Sequence, residues 1–254
     1  MDVLRLVQAA FAACLLASSA HAQTAPVAAG DTAPLEDNRL RFLDPARFAP
    51  ASAFAPPPAP GSLEQQLEFD RLRAIIRAAS PERLAQARWD GAHEEPIVFN
   101  QAAARDFSAL PATSALLGTV SDEVERMVHA AKAYFRHPRP YQLDPALPHC
   151  GKGSAVPSGY PSGHAGYGWS VGWMLARLLP DRAPAILARA QDYALSREIC
   201  GVHFAADLEA SHAAAFAAVE QLFSDPRLAP QIAAARAELS RDHTIPNTIP
   251  ASNK

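Results

Sequence analysis

Apolar residues recur at helical spacing along most of the chain, and no stretch alternates apolar and polar residues as a half-buried strand does. The first run follows Ser62, which can form a capping box with Gln65. Further helices are predicted at about 112–136, 163–179, 182–199, 203–223 and 226–240. Hydrophobic residues make up 49% of the chain and aromatic residues 7%, with several alanine-rich runs, a mix that favours packed helices. These patterns predict an all-α, single-domain multi-helix bundle over residues 62–254.

The first twenty-two residues have the pattern of a cleaved export signal. Arg5 and the amino terminus outweigh Asp2, residues 6–17 are apolar, and residues 20–22 (Ala-His-Ala) fit the small-x-small cleavage pattern. A membrane anchor is the alternative interpretation, but this apolar stretch is too short to span a bilayer. No later segment is long and apolar enough either. We therefore expect a periplasmic or secreted protein without a membrane span.

The three cysteines fit the same interpretation. Cys14 lies inside the signal, and a lipoprotein signal that uses it is disfavoured because Phe11 stands where a small aliphatic residue is expected. Cys150 and Cys200 would remain in an oxidising compartment, where an even pair is expected to form a disulfide. Two unrelated buried thiols are the alternative.

Residues 23–61 separate the signal from the helical domain and are rich in proline and alanine. The segment ends in Phe54-Ala-Pro-Pro-Pro-Ala-Pro60, where the proline density prevents a helix and favours an extended, polyproline-type conformation. Two interpretations are open: a simple linker, or an arm laid over the folded body.

The formal net charge of −3 argues against a nucleic-acid-binding protein, which needs a basic excess. An anionic ligand would have to be held by a local cluster of cations. The segment from 132 to 140 offers Lys132 and Arg139, seven residues apart, so that Lys132 lies on the helix face that points towards the bend at Arg139. The segment from 160 to 164 offers Ser162 as a helix cap and leaves the backbone N–H of Gly163 free to bind an anion.

A third segment, from Ser196 to Asp207, contains Arg197 and His203. Gly201 suits a helix stop, which would place His203 and Asp207 at positions i and i+4 of the next helix, with the carboxylate in reach of the imidazole.

Each segment alone has an ordinary structural interpretation. Two cations on a helix are usually solvated, Pro-Ser-Gly is a common turn, and a His–Asp pair is usually a surface pair. Such a pair can also be half of a metal site, but the nearby arginines and lysine would repel a dication. The role of His137 is left open, and the remaining histidines are interpreted as structural or surface residues: His93, His129, His149, His212 and His243.

Taken in order, the three segments read Lys-x6-Arg-Pro, Pro-Ser-Gly-His and Ser-Arg-x5-His-x3-Asp. This pattern resembles the signature of the superfamily that contains phosphatidic-acid-phosphatase-type enzymes and vanadium haloperoxidases. Within it, the chain is similar to the bacterial class A non-specific acid phosphatases over nearly all of the expected mature chain. It departs from them at Phe204, where Trp is expected, at Gly159, where Ser is expected, and at Ala165, where Thr is common. The match holds at every signature position: Lys132, Arg139, Pro140, Pro161, Ser162, Gly163, His164, Ser196, Arg197, His203 and Asp207.

The resemblance implies an acid phosphatase that acts on small phosphate monoesters such as nucleotides, sugar phosphates and aryl phosphates, and that assembles as a homo-oligomer. The residues support this chemistry without a metal or another cofactor. Arg139 and Arg197 can bind the equatorial oxygens of a transferring phosphoryl group, and Lys132 adds a point charge. The Ser162 hydroxyl and the Gly163 N–H would complete the phosphate site.

The two histidines are expected to have different roles, as the resemblance also implies. Asp207 can orient His203 so that its other ring nitrogen attacks phosphorus, which makes His203 the nucleophile and a phosphohistidine the intermediate. His164 would protonate the leaving alkoxide and then activate water. Contact with the leaving group or simple packing is expected for Tyr160, Tyr141 and Phe204.

Three other functions use the same residues. A vanadium haloperoxidase of this superfamily is typically a much longer chain, and a membrane lipid phosphatase carries spanning helices that this sequence lacks. A helical protein that only binds phosphate would not need His164, His203 and Asp207. Transfer of the phosphoryl group to an alcohol, in place of water, remains open.

Overall fold

The computed structural model describes residues 39–241, in which every regular element is a helix, so the predicted all-α fold is confirmed there. The predicted export signal, residues 1–22, lies outside the described residues. Within residues 39–241, none of the helices combines the length and the apolar character that crossing a membrane requires. The α-helices are α1 (Pro50–Ala53), α2 (Leu63–Ala78), α3 (Pro81–Asp90), α4 (Asn100–Ala103), α5 (Pro111–Phe135), α6 (Pro140–Leu143), α7 (Gly163–Leu178), α8 (Ala183–Ile199), α9 (Ala205–Ser224) and α10 (Ala229–Arg241).

The long helices begin and end close to where the sequence predicts. Pro111 occupies the first turn of α5, where a missing N–H costs nothing, and α5 ends at Phe135, where it is capped by Arg136 with a left-handed φ of 48°. Two features were not predicted correctly. The helix α3, capped by the Ser80 hydroxyl, was missed. The helix α9 begins at Ala205 and not at residue 203, so His203 precedes the helix.

The helix α7 lies at the centre of the bundle and packs against α5, α8 and α9. Gly168 permits its close approach to α8, because a Cβ at this position would lie 2.6 Å from the ring of Tyr193. Buried aliphatic residues of the four helices form the surrounding core, among them Val124, Val171, Leu175, Ala190 and Val219. This packing places the N-terminus of α7, and with it the Pro-Ser-Gly-His segment, between the three neighbouring helices.

Residues 39–61 form an arm that lies on the helical body. For this described part of the proline-rich segment, the structure therefore supports the arm and not the simple linker. The buried carboxylate of Glu123 accepts the backbone N–H groups of residues 41–43 at 2.9–3.1 Å. The side chain of Phe54 is buried, and the Tyr160 hydroxyl donates to the Ala55 carbonyl. The arm is not extended throughout as predicted, because α1 forms one short helical turn within it.

Candidate active site

A cavity of about 350 Å³ opens where α5, α7, α8 and the loop after α3 meet. It brings together residues from all three predicted segments: Lys132 and Arg139 from the first, Gly163 and His164 from the second, and Arg197 and His203 from the third. Its remaining lining residues are Glu94, Ser121, Asp122, Glu125, His129 and Tyr167.

Lys132 and Arg139 lie at the buried end of the cavity. The Lys132 ammonium donates to the Ser158 carbonyl at 2.5 Å. Arg139 donates through Nη1 to the Val202 carbonyl at 3.3 Å, and its Nε lies 3.4 Å from the Ser158 hydroxyl. Burial, together with the neighbouring Arg139, lowers the pKa of Lys132 to about 7. The folded protein therefore holds two cations side by side whose hydrogen-bond partners are neutral groups.

The third cation, Arg197, lies near the end of α8 and is only 8% exposed. Its Nε and Nη1 have no hydrogen-bond partner among residues 39–241. The guanidinium packs against Gly91, where a Cβ would lie only 2.3 Å from Nη1, so a larger residue at position 91 would displace it. A buried guanidinium with unsatisfied donors, facing a cavity, is suited to bind an anion.

The hydrogen bonds of His203 fix its tautomer. Nδ1 lies 3.1 Å from the Asp207 carboxylate, and Nε2 lies 3.1 Å from Nη1 of Arg139. A guanidinium can only donate, so Nε2 must carry the lone pair and Nδ1 the proton. Burial and the nearby Arg139 and Lys132 lower the pKa of His203, which keeps the imidazole neutral.

Asp207 also determines where α9 begins. Its carboxylate accepts the backbone N–H of Phe204 at 2.9 Å in addition to Nδ1–H of His203. This capping hydrogen bond places the start of α9 after His203. The predicted contact between His203 and Asp207 therefore forms although His203 is not part of the helix. Burial raises the pKa of Asp207, while the Phe204 N–H and the cations oppose that rise.

The Pro-Ser-Gly-His segment is held by backbone contacts to α9 and by its own cap. The Ser162 hydroxyl accepts the N–H of Ala165 at 3.3 Å, the capping role that the sequence predicts. The backbone carbonyl of Ser162 accepts a hydrogen bond from the Ser211 hydroxyl at 2.7 Å. Ser162 is fully buried and is not among the residues that line the cavity, whereas Gly163 lines it. The first turn of α7 therefore presents backbone N–H groups to the cavity.

His164 has a carboxylate neighbour that the sequence did not indicate. Its Nδ1 lies 3.2 Å from Glu94, and its Nε2 lies 3.3 Å from the Gly91 carbonyl, both in the loop after α3. Burial, Arg197 and the other cations lower the pKa of His164 to about 3. A bound phosphate would oppose this shift, because its negative charge stabilises the imidazolium.

A buried hydrogen-bond network holds the loop after α3 in place. The signature residue Ser196 donates its hydroxyl to the fully buried carboxylate of Asp90, at the end of α3. Arg189 pairs with the same carboxylate, and Arg83 donates to the Ser196 hydroxyl at 3.0 Å. The role of Ser196 in this structure is thus to tie α8 to the end of α3, immediately before Gly91 and Glu94.

The three aromatic residues suggested as leaving-group contacts are packing residues in the structure. Tyr160 is buried and donates to the arm. Tyr141 stacks on His149 and accepts the N–H of Ser154 at 2.8 Å. Phe204 is buried with its ring edge-on to Phe69. None of the three lines the cavity, which agrees with the packing interpretation.

Sequence reasoning missed the residues at the mouth of the cavity. His129 was interpreted as a structural or surface residue but lines the cavity, as do Glu125 and Asp122. The sequence does indicate that these three residues share a face of α5 with Lys132, because they precede it by three, seven and ten residues. No comparable signal existed for Glu94, because its loop reaches the site only in the folded chain.

Cys150 and Cys200 form the predicted disulfide. The backbone N–H of Cys150 also donates to the Cys200 carbonyl at 2.8 Å. The bridge therefore ties the loop that leads to the Pro-Ser-Gly-His segment to the chain between Arg197 and His203. Across residues 39–241, no group of three His, Cys, Asp or Glu side chains is arranged to hold a metal ion.

Comparisons with known proteins agree with this arrangement. The PAP2 superfamily model matches residues 110–225, which include every signature residue. An acid phosphatase of Zymomonas mobilis is 31% identical over 212 residues, covering 78% of this chain and 78% of that protein. A non-specific acid phosphatase of Salmonella typhimurium is 26% identical over 213 residues, covering 76% of this chain and 82% of the relative. A further one, from Providencia stuartii, is 35% identical over 82 residues, about a third of each chain. The chain belongs to the PAP2 superfamily, and these relatives within it are acid phosphatases.

Proposed function

We propose that this chain is an exported acid phosphatase that hydrolyses phosphate monoesters through a phosphohistidine on His203. The observation that carries the proposal is the tautomer of His203. Asp207 holds the proton on Nδ1, and the donor Arg139 requires the lone pair on Nε2. A neutral imidazole whose lone pair faces a cavity lined by three cations is a nucleophile placed for attack on a phosphoryl group.

In the first step, Nε2 of His203 attacks phosphorus and the bond between phosphorus and the ester oxygen breaks. The charge on the three equatorial oxygens is stabilised by Lys132, Arg139 and Arg197 together with the N–H groups at the start of α7. His164 donates a proton to the leaving oxygen, so that an alcohol departs and not an alkoxide.

In the second step, water attacks the phosphohistidine and the nitrogen–phosphorus bond breaks. His164, now neutral, takes a proton from the water, and phosphate leaves with His203 restored. An alcohol in the position of water would give a new monoester by the same route, and phosphotransfer is therefore part of the proposal.

The charge state of Lys132 favours activity below neutral pH. Because burial lowers the pKa of Lys132 to about 7, this side chain is a cation in acid and loses its charge as the pH rises above that value. A monoester carries one negative charge below its second pKa of about 6 and two above it, so it stays an anion as Lys132 loses its charge. Phosphate binding should therefore weaken on the alkaline side, as expected for an acid phosphatase.

Export to the periplasm or the medium rests on residues 1–22 and on the Cys150–Cys200 disulfide, which suits an oxidising compartment. The names of the relatives support the acid phosphatase activity. The homo-oligomeric state that the resemblance implies remains a prediction.

The test is to trap the intermediate. Turnover of phosphorus-32-labelled nitrophenyl phosphate, quenched in alkali, should leave label on the peptide that contains His203, and an acid quench should remove it. His203→Ala should show neither label nor turnover. His164→Ala should still be labelled by this good leaving group, with turnover of alkyl phosphates reduced by roughly 10²–10⁴-fold. Label on His164, or an equal defect for both leaving groups, would refute these roles.

A further inference from the structure

The two histidines of the active site differ in the groups that surround their ring nitrogens. His203 lies between an acceptor carboxylate and the donor Arg139, a combination that fits only a neutral imidazole. His164 lies between two oxygen atoms. Oε1 of Glu94 is 3.2 Å from Nδ1, and the Gly91 carbonyl is 3.3 Å from Nε2. A carbonyl oxygen can only accept, so Nε2 of His164 carries a hydrogen.

A hydrogen bond between Nδ1 of His164 and Glu94 then requires one further hydrogen. Either an imidazolium donates to the carboxylate, or a neutral carboxyl group donates to the lone pair on Nδ1. The two arrangements hold the same number of protons and differ only in the position of one hydrogen along this contact. Glu94 can thus store the proton that His164 needs as a general acid.

The loop that carries Glu94 is fixed on both sides of the contact. Before it in sequence, the buried carboxylate of Asp90 is bound by two side chains of α8. Next to it, the His93 carbonyl accepts the Tyr193 hydroxyl at 2.6 Å. The ring of Tyr193 also lies nearly parallel to that of His164, with the ring centroids 6.1 Å apart. Both partners of the contact are therefore held by the fold itself.

The surrounding charges determine which partner holds the shared hydrogen. Burial raises the pKa of Glu94, and the charge of Glu125 adds to this effect. Burial, Arg197 and the other cations lower the pKa of His164. Both shifts favour the neutral pair, with the hydrogen on Glu94. Among the described residues, other charged or titratable groups that face the pair are Glu95, Lys132, Arg139, Tyr167, Tyr193 and His203.

We infer that Glu94 is a positioning residue for His164 and holds in reserve the proton that His164 gives to the leaving oxygen. This inference rests on the proposed phosphatase function and deepens it at the same site. A phosphate bound to the three cations cancels their repulsion of an imidazolium. The hydrogen then moves from Oε1 of Glu94 to Nδ1 of His164, so that an O–H bond breaks and an N–H bond forms.

Nε2 of His164 next gives its own hydrogen to the leaving oxygen. Its contact with the Gly91 carbonyl, at 3.3 Å, is longer than the usual range of about 2.7–3.2 Å, and a leaving oxygen that gains negative charge is the stronger acceptor. In the second step Nε2 takes a proton from the attacking water. When phosphate leaves, Nδ1 returns its hydrogen to Glu94, and both residues are restored.

The test is Glu94→Gln, which keeps the size of the side chain but cannot store the proton. Nitrophenyl phosphate needs little help from an acid, whereas an alkyl phosphate depends on it. Near pH 6, the ratio of kcat/KM for the alkyl ester to that for the nitrophenyl ester should fall about tenfold. This is the lower end of the effect of an adjacent opposite charge, because Glu94 is half-exposed. Near pH 4 the fall should be smaller, since the solvent then protonates His164 more often.

Two further variants test the route of the effect. Glu95→Gln changes the neighbouring exposed carboxylate, which does not line the cavity, and should keep the wild-type ratio. In a His164→Ala background, Glu94→Gln should lower the ratio no further, because the residue through which it acts is gone. A further fall in that background would mean that Glu94 acts on the substrate directly and would overturn the inference.

The remaining outcomes separate the inference from the proposed function. If the wild-type protein hydrolyses neither ester, the proposed function is wrong and the inference falls with it. If it hydrolyses both, but Glu94→Gln leaves the ratio unchanged or lowers both values equally at every pH, the function stands and the inference is overturned. An equal fall of the ratio in Glu95→Gln would assign the effect to a general loss of negative charge, which also overturns it.

Discussion

Replacing Asp207 by asparagine should damage the enzyme far less than replacing it by alanine. A single carboxylate oxygen, Oδ2, accepts both Nδ1–H of His203 and the N–H of Phe204. An asparagine that places its carbonyl oxygen there keeps both hydrogen bonds, the tautomer of His203 and the start of α9. What is lost is the charge on the acceptor.

The magnitudes follow from these contacts. Charge-assisted hydrogen bonds are about twice as strong as neutral ones, so the loss in Asp207→Asn is about 1–1.5 kcal/mol, or about tenfold in kcat. Asp207→Ala leaves the buried Phe204 N–H unsatisfied, at about 1–3 kcal/mol of stability. It also frees the His203 imidazole to adopt the wrong tautomer. In a serine protease that defect costs roughly 10⁴-fold when the orienting Asp is replaced by Asn. Here the Phe204 N–H holds the acceptor oxygen in place, which should spare Asp207→Asn that loss but not Asp207→Ala.

The assay is kcat for nitrophenyl phosphate, measured for both variants beside a thermal unfolding curve of each. The curve separates a folding defect from a catalytic one, and turnover is compared only at temperatures where both variants are folded. If Asp207→Asn is as inactive as Asp207→Ala while its unfolding temperature matches the wild type, the argument from a shared acceptor oxygen is wrong. The same holds if Asp207→Ala retains most of the activity.

Two further predictions concern the metal-free site and a buried histidine. Activity should survive EDTA, because three cations and not a metal ion are expected to stabilise the phosphoryl oxygens. Vanadate, a mimic of the five-coordinate transition state, should inhibit the enzyme. Loss of turnover in EDTA that a divalent metal restores would contradict this prediction. Burial lowers the pKa of His137 from its ordinary value of 6.5, so the unfolded chain binds this proton first and stability falls as the pH drops below that value. In urea unfolding at several pH values, the free energy of unfolding of His137→Phe should fall less in acid than that of the wild type. His149→Phe, which changes an exposed histidine, is the control and should behave as the wild type does.

The sequence allowed the fold class and the phosphate-binding end of the site to be predicted because both depend on short-range patterns. The periodicity of α5, α7 and α8 is local, and the signature residues are fixed to these helices or to the turns beside them. Lys132, Arg197 and His203 could therefore be predicted from the order of the three segments and their resemblance to a known signature, before any tertiary contact was known.

The mouth of the cavity could not be predicted in the same way. Glu94 reaches His164 only because the Asp90–Ser196 contact, between residues far apart in sequence, fixes the loop after α3. Tyr160 shows the same limit for a residue that is close to the signature in sequence. It lies two residues before Ser162, yet its hydroxyl bonds to the arm, because adjacency in sequence does not determine the direction in which a side chain points.

The contacts of Arg139 also indicate how substrate binding would activate His203, the proposed nucleophile. In this structure, Nη1 of Arg139 donates to Nε2 of His203 and so occupies the lone pair that the proposed mechanism directs at phosphorus. Phosphate oxygens are charged acceptors, so they compete for this donor with bonds about twice as strong as a neutral acceptor provides. When Arg139 turns to the phosphate, it releases Nε2, while Asp207 still holds the proton on Nδ1. On the proposed mechanism, the same guanidinium occupies the lone pair of His203 in this structure and frees it once a phosphoryl group is in place.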